Sequence, residues 1–451
     1  MKKIILLLFI AIIGFSCSGG KSVKISVKND SAIDRENEIA EISMNSVIEM
    51  LGLSDTAQFV ILDAQGKQLP YQLTYDGKLI FPVTVKANSS VEYTVQAGIP
   101  EKFDTITCGR QYPERVDDIA WENDKIAFRT YGPALQATGE RAFGYDIWVK
   151  SVAEPVVEKR YEGELNPETK ARISELKKTD PKAADELYKS VSYHVDHGNG
   201  LDCYKVGPTL GGGTAALMVN DTIVYPYCYK TFEVLDNGPL RFTVKLTYNP
   251  LIVNGDSVVE TRLISLDAGS QLNKTVVTYD NLKETTPVVA GIVLHDPESS
   301  AQYKVSAEKG YVTYADPTDN PNNNNGTIFV GAILPTAKDA KAVYFEEKEK
   351  NDCGIYGKSE NGIWSQLCKQ NAPQQKKSFN LTYYFPTAQY MKEYYPWLEG
   401  KEGLLPLAWL CRGVHGLLHR GSMERARTLK DREKYRMMME IYHNLNLNFV
   451  K

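Results

Sequence analysis

The chain has 451 residues, and its 52 lysines and arginines against 56 aspartates and glutamates give a net charge of −4. This weakly acidic balance argues against a nucleic-acid partner, which would call for a basic surface. The length suits one large domain or two medium ones.

The first residues have the pattern of a lipoprotein signal peptide, which we place at 1–17. Lys2 and Lys3 precede a short apolar run, and small residues then lead to Cys17. Cleavage would leave Cys17 to carry a lipid, with residues 18–24 as a tether. The alternative is an ordinary secretory signal that happens to contain a cysteine. We expect a lipid-anchored protein of the cell envelope, periplasmic rather than surface-displayed, that meets the membrane only through this lipid.

Most of the chain between residues 25 and 390 has the period-two alternation of β-strands. Residues 240–248 show it clearly, because Phe242, Val244 and Leu246 fall on one face and polar residues on the other. Polar turns separate many such segments. The pattern predicts antiparallel strands packed as a β-sandwich.

Helical patterns occur at 165–190 and in a tail at 391–451. In the first segment, Asn166-Pro167 and Asp180-Pro181 each combine an N-cap with a proline at the first helical position. These pairs predict two short helices inserted into the β-domain. The tail is expected to be helical, and the sequence gives it no role.

The stretch 192–214 concentrates histidines, aspartates and glycines in what the glycines mark as a loop. Loops on a rigid sandwich often carry binding and catalytic groups. His194 and Asp196 could ligate a metal, but His197 would point elsewhere on an extended segment, so we expect no metal and no cofactor. A histidine near Tyr204 or Lys205 suits acid–base catalysis. The alternative is a polar loop that satisfies its own hydrogen bonds.

A second cluster lies between residues 114 and 148. It holds Trp121, Arg129, Tyr131, Glu140 and Arg141. Arginine binds carboxylates through two hydrogen bonds, and aromatic faces stack on sugar rings, so the cluster suits an acidic carbohydrate. The alternative is charge pairing between strands with buried tryptophans. His295, at the end of a strand, is a third and isolated candidate.

Four segments together resemble the family catalogued as domain of unknown function 4861. They are "AWENDKIAFRTYGPAL", "GYDIWVK", "HVDHGNGLDCYKVGPTLGGGTAAL" and "ETRLISLDAGSQLNK". The resemblance spans about residues 25–390 and implies a galactose-mutarotase-like β-supersandwich with a helical insertion. Members resemble exported proteins of glycan degraders, often encoded beside pectin lyases, which implies an acidic glycan as ligand. The resemblance assigns no catalytic residues, and the helical tail departs from the family pattern.

We therefore expect an enzyme that acts on uronic-acid-containing, possibly pectic, oligosaccharides by β-elimination. Arg129 or Arg141 would neutralise the substrate carboxylate, and His194 would take the proton. Tyr204 or Tyr131 would protonate the leaving oxygen. The other residues expected to bind the substrate are Trp121, Glu140, His197, Lys205 and His295.

Other functions remain open on the same scaffold. Hydrolysis would pair carboxylates such as Glu140 and Asp196, and an epimerase would use a histidine with a carboxylate. A protein that binds glycans without catalysis is the alternative outside enzymes. We expect strands 121–148 and loop 194–207 to form the ligand site together, with His194 and Arg129 on one concave wall and a substrate ring between their side chains, about 5–12 Å apart.

Overall fold

A computed structural model describes residues 22–52, 58–220, 222–295, 303–318, 325–334, 338–347 and 350–358, the last two ranges as backbone only. The signal peptide with Cys17 and the expected helical tail lie outside the described residues. The described part consists mainly of antiparallel strands with few helices, so the expected mainly β fold is confirmed.

The N-terminal residues form two small sheets that enclose their own hydrophobic core, and we call this part the N-terminal sandwich. Alternating Val23, Ile25 and Val27 point into that core from the first strand. The strands pair in the orders β1-β7-β3-β4 and β2-β6-β5. Their bounds are β1 Ser22–Asn29, β2 Arg35–Ser43, β3 Phe59–Leu62, β4 Gln68–Leu69, β5 Gln72–Leu73, β6 Lys78–Val85 and β7 Ser89–Ala97.

One helix of the N-terminal sandwich was not expected from the sequence. Helix α1, Met44–Leu51, buries Val47 and Leu51 against the core and ends at Gly52, whose φ of 57° is left-handed. Glycine adopts this conformation without steric cost, so it stops the helix there. The segment follows directly on β2, and its eight residues give only two turns of helical pattern.

The next five strands form one antiparallel sheet, ordered β12-β11-β10-β9-β8. Its alternate residues Ile119, Trp121, Phe128 and Ile147 face a large core shared with the following sheets. A short helix, α2, Pro133–Ala137, lies in the connection between β10 and β11. The strand bounds are β8 Cys108–Tyr112, β9 Asp118–Glu122, β10 Ile126–Thr130, β11 Asp146–Lys150 and β12 Gly200–Asp202.

The helical insertion covers the other face of this sheet. It comprises α3 Val157–Leu165, α4 Pro167–Thr179 and α5 Pro181–Val191, so it has one helix more than the expected 165–190 segment. Tyr161 of α3 packs with Trp148 and with Tyr193, which follows α5. The expected caps form: the Asn166 side chain accepts from the Thr169 amide and that of Asp180 from the Ala183 amide.

The remaining strands complete the large core. They pair as β14-β13-β20-β25-β24, as β15-β16-β18-β17 with β19 on β18, and as β21-β22-β23. Phe242, Val244, Leu246 and Tyr248 are all buried in the core, which confirms the expected alternation of 240–248. The bounds are β13 Gly212–Val219, β14 Thr222–Val224, β15 Tyr229–Asn237, β16 Arg241–Tyr248, β17 Leu251–Val253, β18 Asp256–Asp267, β19 Lys274–Asp280, β20 Pro287–Val293, β21 Tyr303–Ser306, β22 Tyr311–Asp316, β23 Ile328–Ile333, β24 Lys338–Glu347 and β25 Lys350–Lys358.

A polar joint links the N-terminal sandwich to β16. Gln72 Oε1 accepts from the amides of Leu240 and Arg241 at 2.9 and 2.8 Å, and Arg241 also pairs with Glu41 at 2.8 Å. We expected one domain over 25–390, and within the described residues that range holds a separate N-terminal core beside the large one. The C-terminal boundary at 390 lies outside the described residues and stays a prediction.

Candidate functional site

A row of charged residues crosses the sheet face that the helical insertion covers. Arg129 of β10 lies directly opposite Asp146 of β11, and Asp202 of β12 lies opposite Trp148. Arg129 also faces Ala120 of β9, two positions from Asp118. Because alternate residues of a strand share a face, these charges all lie on the same side of the sheet.

The guanidinium of Arg129 is the centre of this row. Its Nη2 donates to Asp146 and, at 2.8 Å, to Asp202 Oδ2, and its Nη1 lies 3.8 Å from Asp118 Oδ2. Arg115 Nη1 lies 3.7 Å from the same Asp118 oxygen. Three aromatic rings surround Arg129 with their centroids 5.1 to 5.8 Å from Cζ: Trp148, Tyr131 and Tyr193.

Arg129 is therefore engaged inside the protein and does not present its charge to a ligand, which corrects our expectation for it. It is only 4% exposed. Burial alone would lower its pKa, but Asp146 and its other partners raise the pKa well above the ordinary value. For the carboxyl of Asp118 burial acts in the other direction and raises its pKa to about 7, although the nearby Arg129 and Arg115 oppose this rise.

His194 lies at the surface above this row. Its Nδ1 is 3.0 Å from the backbone oxygen of Asp202 and 3.7 Å from Asp202 Oδ2, and its side chain is 42% exposed. A carbonyl oxygen only accepts, so Nδ1 carries the hydrogen of this bond. In the neutral ring Nε2 is then the proton acceptor. His194 and Arg129 therefore contact the same carboxylate, whereas we expected a substrate ring to lie between them.

The loop that carries His194 is fastened to the helical insertion. Glu164 of α3 accepts from Ser192 Oγ at 2.8 Å and from the Tyr193 amide at 3.0 Å. Ser192 Oγ in turn accepts from the His194 amide at 3.3 Å. The position of His194 is therefore coupled to α3 through two consecutive hydrogen bonds.

The two other polar side chains of this loop hold its turn. Asp196 Oδ1 accepts from the amides of Gly198 and Gly200 at 2.8 and 2.9 Å. His197 Nε2 lies 3.0 Å from the backbone oxygen of Ser192. For Asp196 and His197 these contacts match the polar-loop alternative rather than the predicted catalytic and substrate-binding roles.

The predicted Tyr204, Lys205 and His295 form a separate cluster. Tyr204 is buried and donates its hydroxyl to the Gly211 oxygen at 2.9 Å. His295 Nδ1 lies 2.7 Å from Asp316 Oδ2, and its Nε2 lies 2.6 Å from the Lys205 backbone oxygen. Because the Tyr204 hydroxyl is buried and bonded to the backbone, it does not reach a leaving group, which corrects its expected role as the acid.

Trp121 and Tyr131 are also buried rather than presented to a sugar. Trp121 is fully buried, stacks on Phe128 and Phe242, and donates its Nε1 hydrogen to Asn273 at 2.8 Å. Tyr131 is 8% exposed and belongs to the large core. These positions correct the expected ligand-stacking and acid roles. Both residues instead support the sheet from which the site is built.

Arg115, which the sequence analysis did not single out, contacts Tyr193, the residue that precedes His194. Its Nε donates to the Tyr193 hydroxyl at 3.2 Å, its side chain is 25% exposed, and the Tyr193 ring lies 4.5 Å from the His194 ring. Val116 and Asp117 follow with φ of 48° and 66°. Left-handed backbone at two consecutive non-glycine residues stores strain and is often found at functional sites.

Glu140 and Arg141 are exposed in the connection between α2 and β11. That connection leaves the same end of the sheet as Asp146 and the end of β12, because adjacent strands are antiparallel. The position of this connection is compatible with the site. The role of Glu140 and Arg141 in substrate binding stays a prediction.

We also searched the described part of the chain for metal-binding groups, cavities and membrane-spanning helices. There, histidine, cysteine, aspartate and glutamate side chains form no group of three able to hold a metal ion. A cavity of about 50 Å³, lined mainly by Ile126, Ile147, Leu272 and Phe329, is apolar and far too small for a sugar. Among the described helices, none has the length and apolar character needed to cross a membrane.

Comparisons with known proteins place the chain in a family without an assigned activity. The family described as Domain of unknown function (DUF4861) matches residues 27–387. "Uncharacterized protein P7" of Formosa agariphila is 30% identical over 336 residues, covering 70% of this chain and 78% of that protein. A glycosyl hydrolase family 38 protein from Enterococcus faecalis is 10% identical with a TM-score of 0.32. The match covers 79% of this chain and only 47% of that structure.

Proposed function

We propose that the chain, which belongs to the family described as Domain of unknown function (DUF4861), is an enzyme that cleaves uronic-acid-containing carbohydrates by β-elimination. The observation that carries the proposal is the 3.0 Å hydrogen bond between His194 Nδ1 and the Asp202 backbone oxygen. This bond leaves Nε2 of an exposed imidazole as a proton acceptor, which is what a general base needs.

The elimination can be written with His194 alone as the proton-transfer group. Nε2 takes the proton from C5 of the uronate ring, the C–H electron pair forms the C4–C5 double bond, and the C4–O bond breaks. The imidazolium then returns its proton to the leaving oxygen. This route needs neither Tyr131 nor Tyr204, both of which are buried.

Arg115 takes the role that we first expected of Arg129 or Arg141. Neutralising the substrate carboxylate makes the C5 proton more acidic, and a guanidinium does so through paired hydrogen bonds. Arg115 is partly exposed and lies beside Tyr193, whereas Arg129 is enclosed. Burial raises the pKa of Asp118 to about 7, so the Asp118 carboxyl neutralises less of the Arg115 charge than a fully ionised carboxylate would.

Asp202 and Arg129 serve as positioning residues in this proposal. The Asp202 backbone oxygen fixes the hydrogen on His194 Nδ1, and its Oδ2, 3.7 Å away, stabilises the imidazolium formed during the reaction. Arg129 holds the Asp202 carboxylate in place from below at 2.8 Å. The buried charges therefore orient a group that acts at the surface.

The proposed location rests only on the signal-peptide pattern of the first residues. We place the enzyme in the cell envelope, anchored through a lipid on Cys17 and facing the periplasm. A soluble form of the Cys17→Ala variant in cell fractionation supports this location. A variant that stays in the membrane fraction contradicts it.

The test of the proposed function is a substrate panel. Purified protein is incubated with polygalacturonate, with other uronic polysaccharides and with a neutral galactan, and the ultraviolet absorbance of a new C4–C5 double bond is followed. The proposal expects product from an acidic polysaccharide and none from galactan. Binding of acidic polysaccharides without any product would instead establish a non-catalytic glycan-binding protein, and a saturated product would indicate a hydrolase.

A further inference from the structure

His295 joins three segments that are distant in the chain, and we call this arrangement the His295 clamp. His295 follows the end of β20, Lys205 lies in the connection after β12, and Asp316 is the last residue of β22. His295 Nδ1 lies 2.7 Å from Asp316 Oδ2, and its Nε2 lies 2.6 Å from the Lys205 backbone oxygen. The ring therefore bridges the two other segments with both of its nitrogens.

Both partners of the ring accept hydrogen bonds, and this determines how many hydrogens the ring carries. A backbone carbonyl only accepts, and so does an ionised carboxylate. A neutral imidazole has one N–H and satisfies one of the two contacts, while its other nitrogen directs a lone pair at an oxygen 2.6 or 2.7 Å away. An imidazolium has an N–H on each nitrogen and satisfies both contacts. The geometry of the clamp therefore fits the charged form of His295.

The burial of Asp316 supports the same form of the ring. Its side chain has no exposed surface, and a buried carboxylate calls for a positive partner. Within the described ranges no lysine or arginine pairs with Asp316, whereas His295 does. The second carboxylate oxygen, Oδ1, accepts from the Thr318 amide at 2.7 Å, which fixes the direction of Oδ2 toward the ring.

The neighbouring titratable groups leave His295 as the group that changes charge near neutral pH. The Tyr204 ring meets the His295 ring edge to face, with the centroids 5.2 Å apart, and its hydroxyl donates to the Gly211 oxygen. Lys205 contacts the ring through its backbone oxygen, and its side chain is exposed. Histidine is the side chain whose charge ordinarily changes between about pH 5 and pH 8, whereas tyrosine, lysine and aspartate ordinarily titrate outside this range.

The clamp holds a segment that begins directly after the proposed site. Lys205 comes three residues after Asp202, whose carboxylate pairs with Arg129 at 2.8 Å. When the ring loses one proton, one of its two hydrogen bonds is lost. A hydrogen bond to a carboxylate is stronger than one to a carbonyl, so the remaining N–H stays with Asp316. The bond to Lys205 is therefore the one that breaks.

We propose that the His295 clamp is a pH-sensitive switch that holds residues 203–211 against the ends of β20 and β22 while His295 is protonated. Loss of one proton from the ring releases that connection. The stabilisation is complete in acid, below the ordinary histidine pKa of about 6.5, and is lost as the pH rises through the point at which the folded protein deprotonates His295. The switch does not depend on the reaction that we propose for the site.

Nuclear magnetic resonance of the ring nitrogens, in the full chain with isotope-labelled histidine, tests the protonation of the ring. His197 is the internal control, because its Nε2 meets one backbone oxygen and one N–H is enough for that contact. The signals are assigned with the His295→Gln and His197→Gln variants. We expect His295 to keep both N–H groups at about pH 7.5, where the His197 ring is neutral. A His295 ring that is neutral at this pH, or that titrates together with His197, would overturn the switch.

Hydrogen–deuterium exchange of residues 203–211 tests the release in the wild-type protein. After correction for the pH dependence of the chemical exchange itself, these amides should exchange at least about tenfold faster at pH 9 than at pH 6. Asp316→Asn removes the charge that stabilises the imidazolium, so this change should move to lower pH. His197→Gln should keep the wild-type profile. Equal protection of 203–211 at both pH values in the folded protein would contradict the proposal.

Discussion

His194 and Arg129 share one carboxylate oxygen: His194 Nδ1 lies 3.7 Å and Arg129 Nη2 lies 2.8 Å from Asp202 Oδ2. The imidazole is 42% exposed, whereas the guanidinium is enclosed by carboxylates and aromatic rings. The Arg129 charge, which positions Asp202 and through it His194, is therefore buried. In the protein interior water and salt screen a charge least. Changes at the buried pair should consequently affect both stability and the function of the surface histidine.

Asp202→Asn should lower the free energy of unfolding by about 2–4 kcal/mol, because it removes one charged partner from a buried pair. Arg129 would retain Asp146 and would stay in place. Urea denaturation measures the change. The matched control is Asp196→Asn, which alters a surface turn and should cost about 1 kcal/mol or less. Equal losses in the two variants would contradict a special role for Asp202.

Asp118→Asn should change the pH dependence of stability. Burial raises the pKa of Asp118 from 3.8 to about 7, so the folded protein holds a proton there that the unfolded chain releases. The resulting stabilisation is complete below pH 3.8 and is lost as the pH rises through 7. Asparagine has no such proton, so the variant should gain about 1–3 kcal/mol relative to wild type between pH 5 and pH 8. Parallel pH profiles from urea denaturation would contradict the assignment.

Glu164→Ala should release the loop that carries His194 from α3. The substitution removes the acceptor for Ser192 Oγ and for the Tyr193 amide, so amide hydrogens of residues 192–200 should exchange faster with solvent. Hydrogen–deuterium exchange read by mass spectrometry measures this effect. Glu162→Ala is the control, since Glu162 is exposed on the same helix. Unchanged exchange in the loop of Glu164→Ala would show that α3 does not hold it.

Trp121→Ala should behave as a core substitution. Its side chain is fully buried against Phe128 and Phe242, and removing such a ring costs about 3–5 kcal/mol. Thermal and urea denaturation should both show the loss. A stable Trp121→Ala variant with weakened carbohydrate binding would instead restore the ligand-stacking role that the sequence suggested.

Helix caps and strand alternation could be predicted from the sequence because they depend on residues that are close together in the chain. The caps at Asn166 and Asp180 give the starts of α4 and α5, because each side chain bonds to an amide three residues later. The alternation of 240–248 gives the buried face of β16. In both places the decisive contacts or periodicity lie within one short segment.

The start of α3 could not be predicted in this way, because its cap comes from a distant residue. Val156 offers no capping side chain, and Glu122 of β9 accepts from the amides of Val156 and Val157 at 2.8 to 3.0 Å. Lys150 balances the buried carboxylate at 2.6 Å. Such a cap becomes visible only when the strand register is known.

The candidate site was predicted in part for the same reason. The sequence identified His194 and Arg129 as residues of one site, but the burial of Arg129 depends on which sheet face the helical insertion covers. Once that face is known, the alternation of side chains along each strand places Arg129, Asp146 and Asp202 on the covered face, inside the protein. Arg115 was overlooked because its contact, the Tyr193 hydroxyl, is 78 residues away along the chain.

The central claim is that His194 Nε2 takes the proton, and chemical rescue tests it most directly. On the acidic polysaccharide that gives product, His194→Gly should form the C4–C5 double bond at least about a hundredfold more slowly than wild type, and added imidazole should restore part of the rate. His197→Gly, the neighbouring control, should keep most of the activity and gain nothing from imidazole. A folded His194→Gly variant with turnover within a few-fold of wild type would contradict the account.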